Sequence, residues 1–216
     1  MTKIINGKEI AQDLRNNLKE EIALLKNKYG IAPGLAVVQV GNVAASSVYV
    51  KAKTKSANEV GIEVFDHHLE DTTSQDDLLK LIEKLNNQIN VNGILVQLPL
   101  PKHINEQIIL DSINPTKDAD GFHPLNVGKL SISQKNDESL MIPCTPYGCL
   151  LLLRELNIKN LHVWGMAWGT RAAIAYCSLN PEKVLSAVFS DASIGIADIA
   201  AQKEGVKRAL SIQDKE

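Results

Sequence analysis

The sequence predicts an α/β protein, a three-layer parallel-sheet domain followed by a shortened, atypical α/β segment. Three observations predict it. Short apolar runs at 35–40, 62–65 and 94–98 alternate with longer stretches whose apolar residues recur at helical spacing. Strands separated by helices of this length form βαβ units and a parallel sheet. A chain of 216 residues, 44% hydrophobic and 22% charged, also has the length and composition to bury a real core.

The elements follow in order. Asn6 and Glu9 read as a helix cap and its reciprocal partner, and Ile10, Leu14, Leu18, Ile22 and Leu25 then keep helical spacing until Gly30. After Pro33-Gly34 come the first strand (35–40), a Gly41-Asn42 turn, a helix carrying Tyr49 and Lys53, and Gly61 as its stop. A second strand (62–65) leads through Asp71-Thr72-Thr73 into a helix bearing Leu78, Leu79, Leu81, Ile82 and Leu85. The third strand (94–98) ends at Pro99-Leu100-Pro101, since proline cannot continue the ladder. A helix at 105–113 and a polar loop at 114–124 follow. Thr145-Pro146 reads as an N-cap with proline at the first helical position, opening a helix to Leu156. The domain change is placed here, giving domains 1–145 and 146–216. A strand at 161–164, a helix at 169–179, a strand at 184–189 and a helix at 194–210 complete the expectation.

Composition narrows the partners. A net charge of −2 offers no broad basic surface, so neither nucleic acid nor an anionic membrane is expected. No apolar run approaches the roughly 20 residues that span a bilayer. The start lacks a secretion-signal pattern, which makes a cytoplasmic location the expectation. Cys144, Cys149 and Cys177 form no CxxC pair and read as reduced, buried thiols. The adjacent His67 and His68 read as a solvated strand end, and no metal site is expected.

Tyr49 and Lys53 stand four apart and share one helix face. That face lies behind strand ends where open parallel sheets bind ligands. A lysine amine stripped of part of its hydration holds its proton less tightly and serves as a proton carrier near neutrality. A solvated face shared by Lys51, Lys53 and Lys55 is the alternative. Gln97 lies at the same rim. In the loop at 114–124, Asp118, Asp120 and His123 crowd with glycine and proline, as in a rigid site loop or a capped turn; His123 reads as structural.

Four segments carry a family resemblance: Tyr49-Val50-Lys51-Ala52-Lys53, the run from Gly93 to Pro101, the run from Lys117 to Gly128, and Pro143-Cys144-Thr145-Pro146. Their sequence, order and spacing resemble the bifunctional methylenetetrahydrofolate dehydrogenase/cyclohydrolases over residues 3–157. The resemblance implies NADP-dependent oxidation of methylenetetrahydrofolate and hydrolysis of methenyltetrahydrofolate to the formyl compound, within the one-carbon supply of purine biosynthesis. It makes Lys53 the catalytic amine, Gln97 the group that orients it, Tyr49 a stacking surface for the folate, and Asp120 the holder of the pterin's amino edge. It also places Val96, Leu98 and Pro99 against the substrate, assigns Thr145 and Gly165 to the cofactor, and implies a homodimer.

Beyond Leu156 the pattern departs. The family's nucleotide turn reads approximately Gly-Arg-Ser and then Gly-x-Pro, whereas this chain reads Gly165-Met166-Ala167-Trp168-Gly169. Met166 and Ala167 stand where the Arg and Ser that meet the NADP phosphate are expected, so a non-catalytic folate-binding remnant or a chimera is the alternative function. The tail at 162–193 is also similar to the strand-elbow-helix of α/β-hydrolases, in which the middle residue of G-x-S-x-G is the nucleophile. Here that residue is Ala167, which has no hydroxyl.

Overall fold

The computed structural model describes residues 6–132, 140–166 and 168–190. The chain forms two compact units, Met1–Leu156 and Asn157–Glu216. The first contains α1 (Gly7–Tyr29), β1 (Gly34–Val40), α2 (Ala44–Val60), β2 (Glu63–Leu69), α3 (Gln75–Asn87), β3 (Gly93–Val96), α4 (Glu106–Ser112), α5 (Pro124–Ile132) and α6 (Cys144–Glu155). The second contains β4 (Leu161–Met166), α7 (Trp168–Leu179), a 3-10 turn (Pro181–Lys183) and β5 (Val184–Ser190).

The caps set the first helix. The Asn6 side chain accepts from the Glu9 backbone N–H at 3.3 Å and donates to the Glu9 carboxylate at 2.9 Å. Gly30 closes the helix at φ 76°, its N–H bonded to the Lys26 carbonyl. Gly61 closes α2 in the same left-handed region.

The first sheet is parallel throughout, in the order β2-β1-β3. Its central strand is buried along almost its whole length, as expected of a parallel strand covered on both faces. On one face Ala36, Val38 and Val40 join Ile94, Val96, Leu78, Ile82, Leu85 and Ile109, so α3 and α4 cover that side. On the other, Val37 and Leu95 meet Val50 of α2. These are the expected three layers.

Several expectations are corrected. Strand β3 stops at Val96, leaving Gln97 and Leu98 in the loop, where the Leu98–Pro99 peptide is cis. Strand β2 runs on to Leu69, so His67 and His68 lie within it, paired with Val38 and Gln39. Thr145 is not a cap: Pro143 takes the N-cap position of α6, without a side-chain hydrogen bond. Cys144 and Cys149 are exposed and Cys177 is half-exposed, because neither helix carrying them buries that face. The first compact unit closes at Leu156, just past α6, and α6 packs on α1.

Helix α5 was not expected from the sequence. It begins at Pro124, with the buried His123 accepting the Leu125 N–H through Nδ1 at 3.1 Å. In the second unit β4 and β5 pair in parallel around α7. Gly165 allows the approach of that helix: a Cβ there would stand 2.7 Å from both Ala173 Cβ and Thr170 Cα. The buried Thr170 hydroxyl donates to the Ser190 carbonyl at 3.1 Å. The expected helix at 194–210 and Ala167 lie outside the described residues.

Candidate active site

The candidate site lies at the carboxyl rim of the first sheet. Gln97 follows β3, and its backbone N–H donates to the Val38 carbonyl at 2.8 Å, which carries the ladder one residue beyond the strand. Its side-chain amide donates to the Leu98 carbonyl at 2.7 Å. With the backbone N–H and one side-chain N–H so engaged, Oε1 accepts from Lys53 Nζ at 3.1 Å. The half-buried Lys53 reaches this point from α2, across one face of the sheet.

Tyr49 stands one turn earlier on α2 and is 66% exposed, which leaves the ring free to offer a flat apolar surface. Val50, beside it in sequence, is buried against Val37 and Leu95 and anchors the helix. Lys53 and Tyr49 therefore extend from a helix whose other side is packed.

The third contributor is the loop between α4 and α5. Ile94 donates to the Lys117 carbonyl at 2.6 Å and accepts from Ala119 at 3.2 Å, so the loop runs as a short strand-like bridge beside β3. Asp118 is 2% exposed, and its carboxylate accepts from Gly121 N at 3.0 Å, His123 N at 2.8 Å and Asn126 Nδ2 at 2.9 Å. This carboxylate folds the loop around itself. Asp120, two residues on, falls within electrostatic reach of Lys53. Burial raises the pKa of Asp120 above the ordinary carboxylate value, the Lys53 ammonium opposes the rise, and the negative Asp118 adds to it.

Of the residues expected at the site, Lys53, Gln97 and Asp120 are brought together, with Tyr49 on the same helix face. The Val96 side chain lies in the core with Val38 and Ile94. Leu98 is half-buried against that core and Pro99 is exposed beyond it. Thr145 is exposed in the first turn of α6, and Gly165 belongs to the second unit. Asp118 and Gln39 were missed as contributors. Asp118 carries a signal in its crowded loop; Gln39 carries only the oddity of a polar residue within an apolar run. Among the described residues no cluster of three or more His, Cys, Asp or Glu side chains is arranged to hold a metal ion, and no helix is long and apolar enough to cross a membrane.

Comparison with known proteins adds a family. The model of the tetrahydrofolate dehydrogenase/cyclohydrolase catalytic domain matches residues 5–120. The bifunctional protein FolD 2 of Roseobacter denitrificans is 51% identical over 152 residues, 70% of this chain and 49% of the relative. FolD 2 of Arabidopsis thaliana is 52% identical over 157 residues, 73% of this chain and 52% of the relative. The chain spans about half the length of the curated relatives it matches. The crystal structure of the Campylobacter jejuni FolD dehydrogenase/cyclohydrolase superposes with a TM-score of 0.78 at 37% identity, covering 91% of this chain and 68% of that one. The Trypanosoma brucei FolD, solved with NADP and an inhibitor, gives 0.79 at 31%, covering 93% and 68%. These spans exceed the first unit, so the likeness continues into the β4–α7–β5 arrangement. The resemblance of the tail to hydrolases gains no support from them.

Proposed function

Because the chain belongs to the tetrahydrofolate dehydrogenase/cyclohydrolase family, we propose that it acts in folate one-carbon metabolism, oxidising methylenetetrahydrofolate with NADP and hydrolysing the methenyl product to formyltetrahydrofolate. The observation that carries the reading is the 3.1 Å bond from Lys53 to Gln97 with Asp120 in electrostatic reach.

In the hydrolysis, water adds to the cationic methenyl carbon and loses one proton to give a carbinolamine; its hydroxyl then loses the second proton as the C=O forms, a ring nitrogen gains a proton as its bond to that carbon breaks, and one proton is released overall. One group near both atoms is needed to carry the proton, a role that general acid–base catalysis gives to a positioned amine. Lys53 is that group. Gln97 fixes the amine through Oε1, its side chain being held by the Leu98 carbonyl. The Asp120 carboxylate accepts hydrogen bonds from the amino edge of the pterin, and Tyr49 supplies a face for the planar heterocycle. Leu98 and Pro99 form the adjoining wall.

For the oxidation, NADP supplies a nicotinamide ring that accepts the hydride. The fit of a dinucleotide rests on backbone features of the second unit. Gly165 lets β4 and α7 approach closely, and a Cβ at Gly169 would find nothing within 4 Å; the turn from a strand into a helix is where dinucleotide-binding units hold the pyrophosphate. Met166 brings no charge to a 2′-phosphate. In this reading the substrate domain runs to about residue 145, the nucleotide segment follows, and the protein works as a cytoplasmic homodimer supplying formyl groups for purine biosynthesis. The net charge of −2 accords with a small-molecule enzyme rather than a binder of polyanions.

The test is the decay of methenyltetrahydrofolate absorbance with purified protein, followed by titration with NADP and a folate analogue. Enzyme-dependent decay and saturable binding of both ligands are expected. A protein that is folded by circular dichroism yet leaves the spontaneous decay unchanged and binds no folate analogue overturns the proposal.

A further inference from the structure

Gln39 lies on the central strand, 2% exposed, with its side chain on the face that meets α2. Its amide donates to the Gly41 carbonyl at 3.0 Å and to the Ser47 hydroxyl at 2.9 Å, while its Oε1 is buried with no hydrogen-bond partner. An unsatisfied buried acceptor costs stability, and an apolar side chain of similar volume avoids that cost. Packing alone does not account for a glutamine here.

Two facts give it a task. The first turn of α2 has no side-chain cap, because its N-cap position is Val43. The anchor for that turn comes instead from Gln39, which holds both the loop carbonyl at Gly41 and the hydroxyl at Ser47. Strand register then sets Gln39 beside Gln97, since Val38 pairs with Val96 and accepts from the Gln97 N–H. Neighbouring residues on paired strands share a face. The two glutamines therefore grip one helix, Gln39 at Ser47 and Gln97 at Lys53. The grips are about 9 Å apart along the axis, at about 1.5 Å per residue.

We infer that Gln39 is a positioning residue for Lys53, fixing the first turn of α2 so that the amine meets Gln97. The inference rests on the function proposed above and adds a member to that site. Without Gln39, α2 keeps the apolar contact of Val50 but its first turn loses the hydrogen bond at Ser47, and a displacement of about 1 Å at a reacting group is enough to cost on the order of 100-fold in rate.

The test is Gln39→Leu, which keeps bulk and removes both hydrogen bonds. Expected are a fall of about 10- to 100-fold in kcat for methenyl hydrolysis, a folate-analogue Kd within about 2-fold of the parent, and no further loss when the change is made in a Lys53→Met background. An unchanged kcat in a folded variant, or kcat and affinity falling together, overturns the inference. If Gln39→Leu does not fold, Ser47→Ala removes one of the same bonds and is expected to lower kcat in the same direction; an unchanged kcat there also overturns it. A second readout does not depend on turnover. Acetylation of Lys53, measured by mass spectrometry against Lys51 in the same molecule, is expected to change at least about 3-fold in Gln39→Leu through the altered setting of the amine. An unchanged ratio overturns the positioning role even if the parent protein hydrolyses nothing, whereas a changed ratio in a protein without turnover removes the proposed function and leaves the grip on Lys53 standing.

Discussion

Lys53 Nζ donates to Gln97 Oε1 at 3.1 Å although the two residues lie 44 positions apart, one on a helix and the other just past a strand. The glutamine is held from behind by Val38 and Leu98, so the pair has little freedom to separate.

Replacing the amine tests its proton-carrying role directly. Lys53→Met is expected to slow methenyl hydrolysis by roughly 100- to 10,000-fold, the span that general acid–base catalysis supplies. Folate-analogue binding, followed by calorimetry, is expected to remain measurable. Activity equal to the parent contradicts the assignment.

Asp120 gives a pH signature with a definite sign. Its folded-state pKa is raised by burial, against the pull of Lys53 and with the help of Asp118. The native state thus keeps this proton where the unfolded chain has released it, so the associated stability is present below the ordinary value of 3.8 and is lost as the pH climbs through the raised value. Urea unfolding of Asp120→Asn across that acidic window is expected to show a flatter dependence than the parent. In Lys53→Met the same loss is expected to move to higher pH, because the opposing cation is gone. Identical slopes in all three proteins reject this account.

Asp118 is expected to matter for stability as well as for the site. Asp118→Ala strands three donors around a buried cavity, and the loss is expected to be about 3 kcal/mol in denaturant unfolding. Folate-analogue affinity is expected to fall as well, since the loop that presents Asp120 loses its centre. A variant with parental stability and affinity argues that the loop is held by other means.

Two glycines in neighbouring elements should respond in opposite directions. Gly121 has φ +70°, and a Cβ there would approach the Met141 carbonyl oxygen at 2.8 Å. Gly121→Ala is expected to destabilise by about 1–3 kcal/mol. Gly128 lies within α5 with nothing within 4 Å of an added Cβ, and Gly128→Ala is expected to stabilise by up to about 1 kcal/mol. Thermal melts of the pair read the difference; equal shifts of the same sign dismiss it.

Local chemistry made much of this fold legible. The Asn6–Glu9 cap, the glycine stops at Gly30 and Gly61, and the apolar alternation of strands and helices lie within short stretches of chain, and each is found close to where the residues put it. Tyr49 and Lys53 were legible as a pair because helical spacing is itself local. That Gln97 lies at the same rim was legible from the strand ends; its bond to Lys53 and the nearness of Asp120 were legible through family resemblance, since contacts between distant segments are written in no single stretch of chain. Gln39 escaped although its partners, Gly41 and Ser47, lie only two and eight residues on, because one polar residue in an apolar run gives no sign of what its side chain holds. Helix α5, nine residues with Gly128 in its middle, drew no reading of its own, and the exposed Cys144 and Cys149 show that a thiol's preference for burial yields to whichever helix face has no neighbour.

The amine, the amide and the acid of this rim arrive on three separately folded pieces: one helix, one strand end and one loop wrapped on a buried carboxylate. Their mutual spacing is therefore a gauge of tertiary order. Heating that loosens any one piece is expected to degrade the proposed turnover while the bulk helical signal persists, making such a rate a finer thermometer of this molecule than its spectrum.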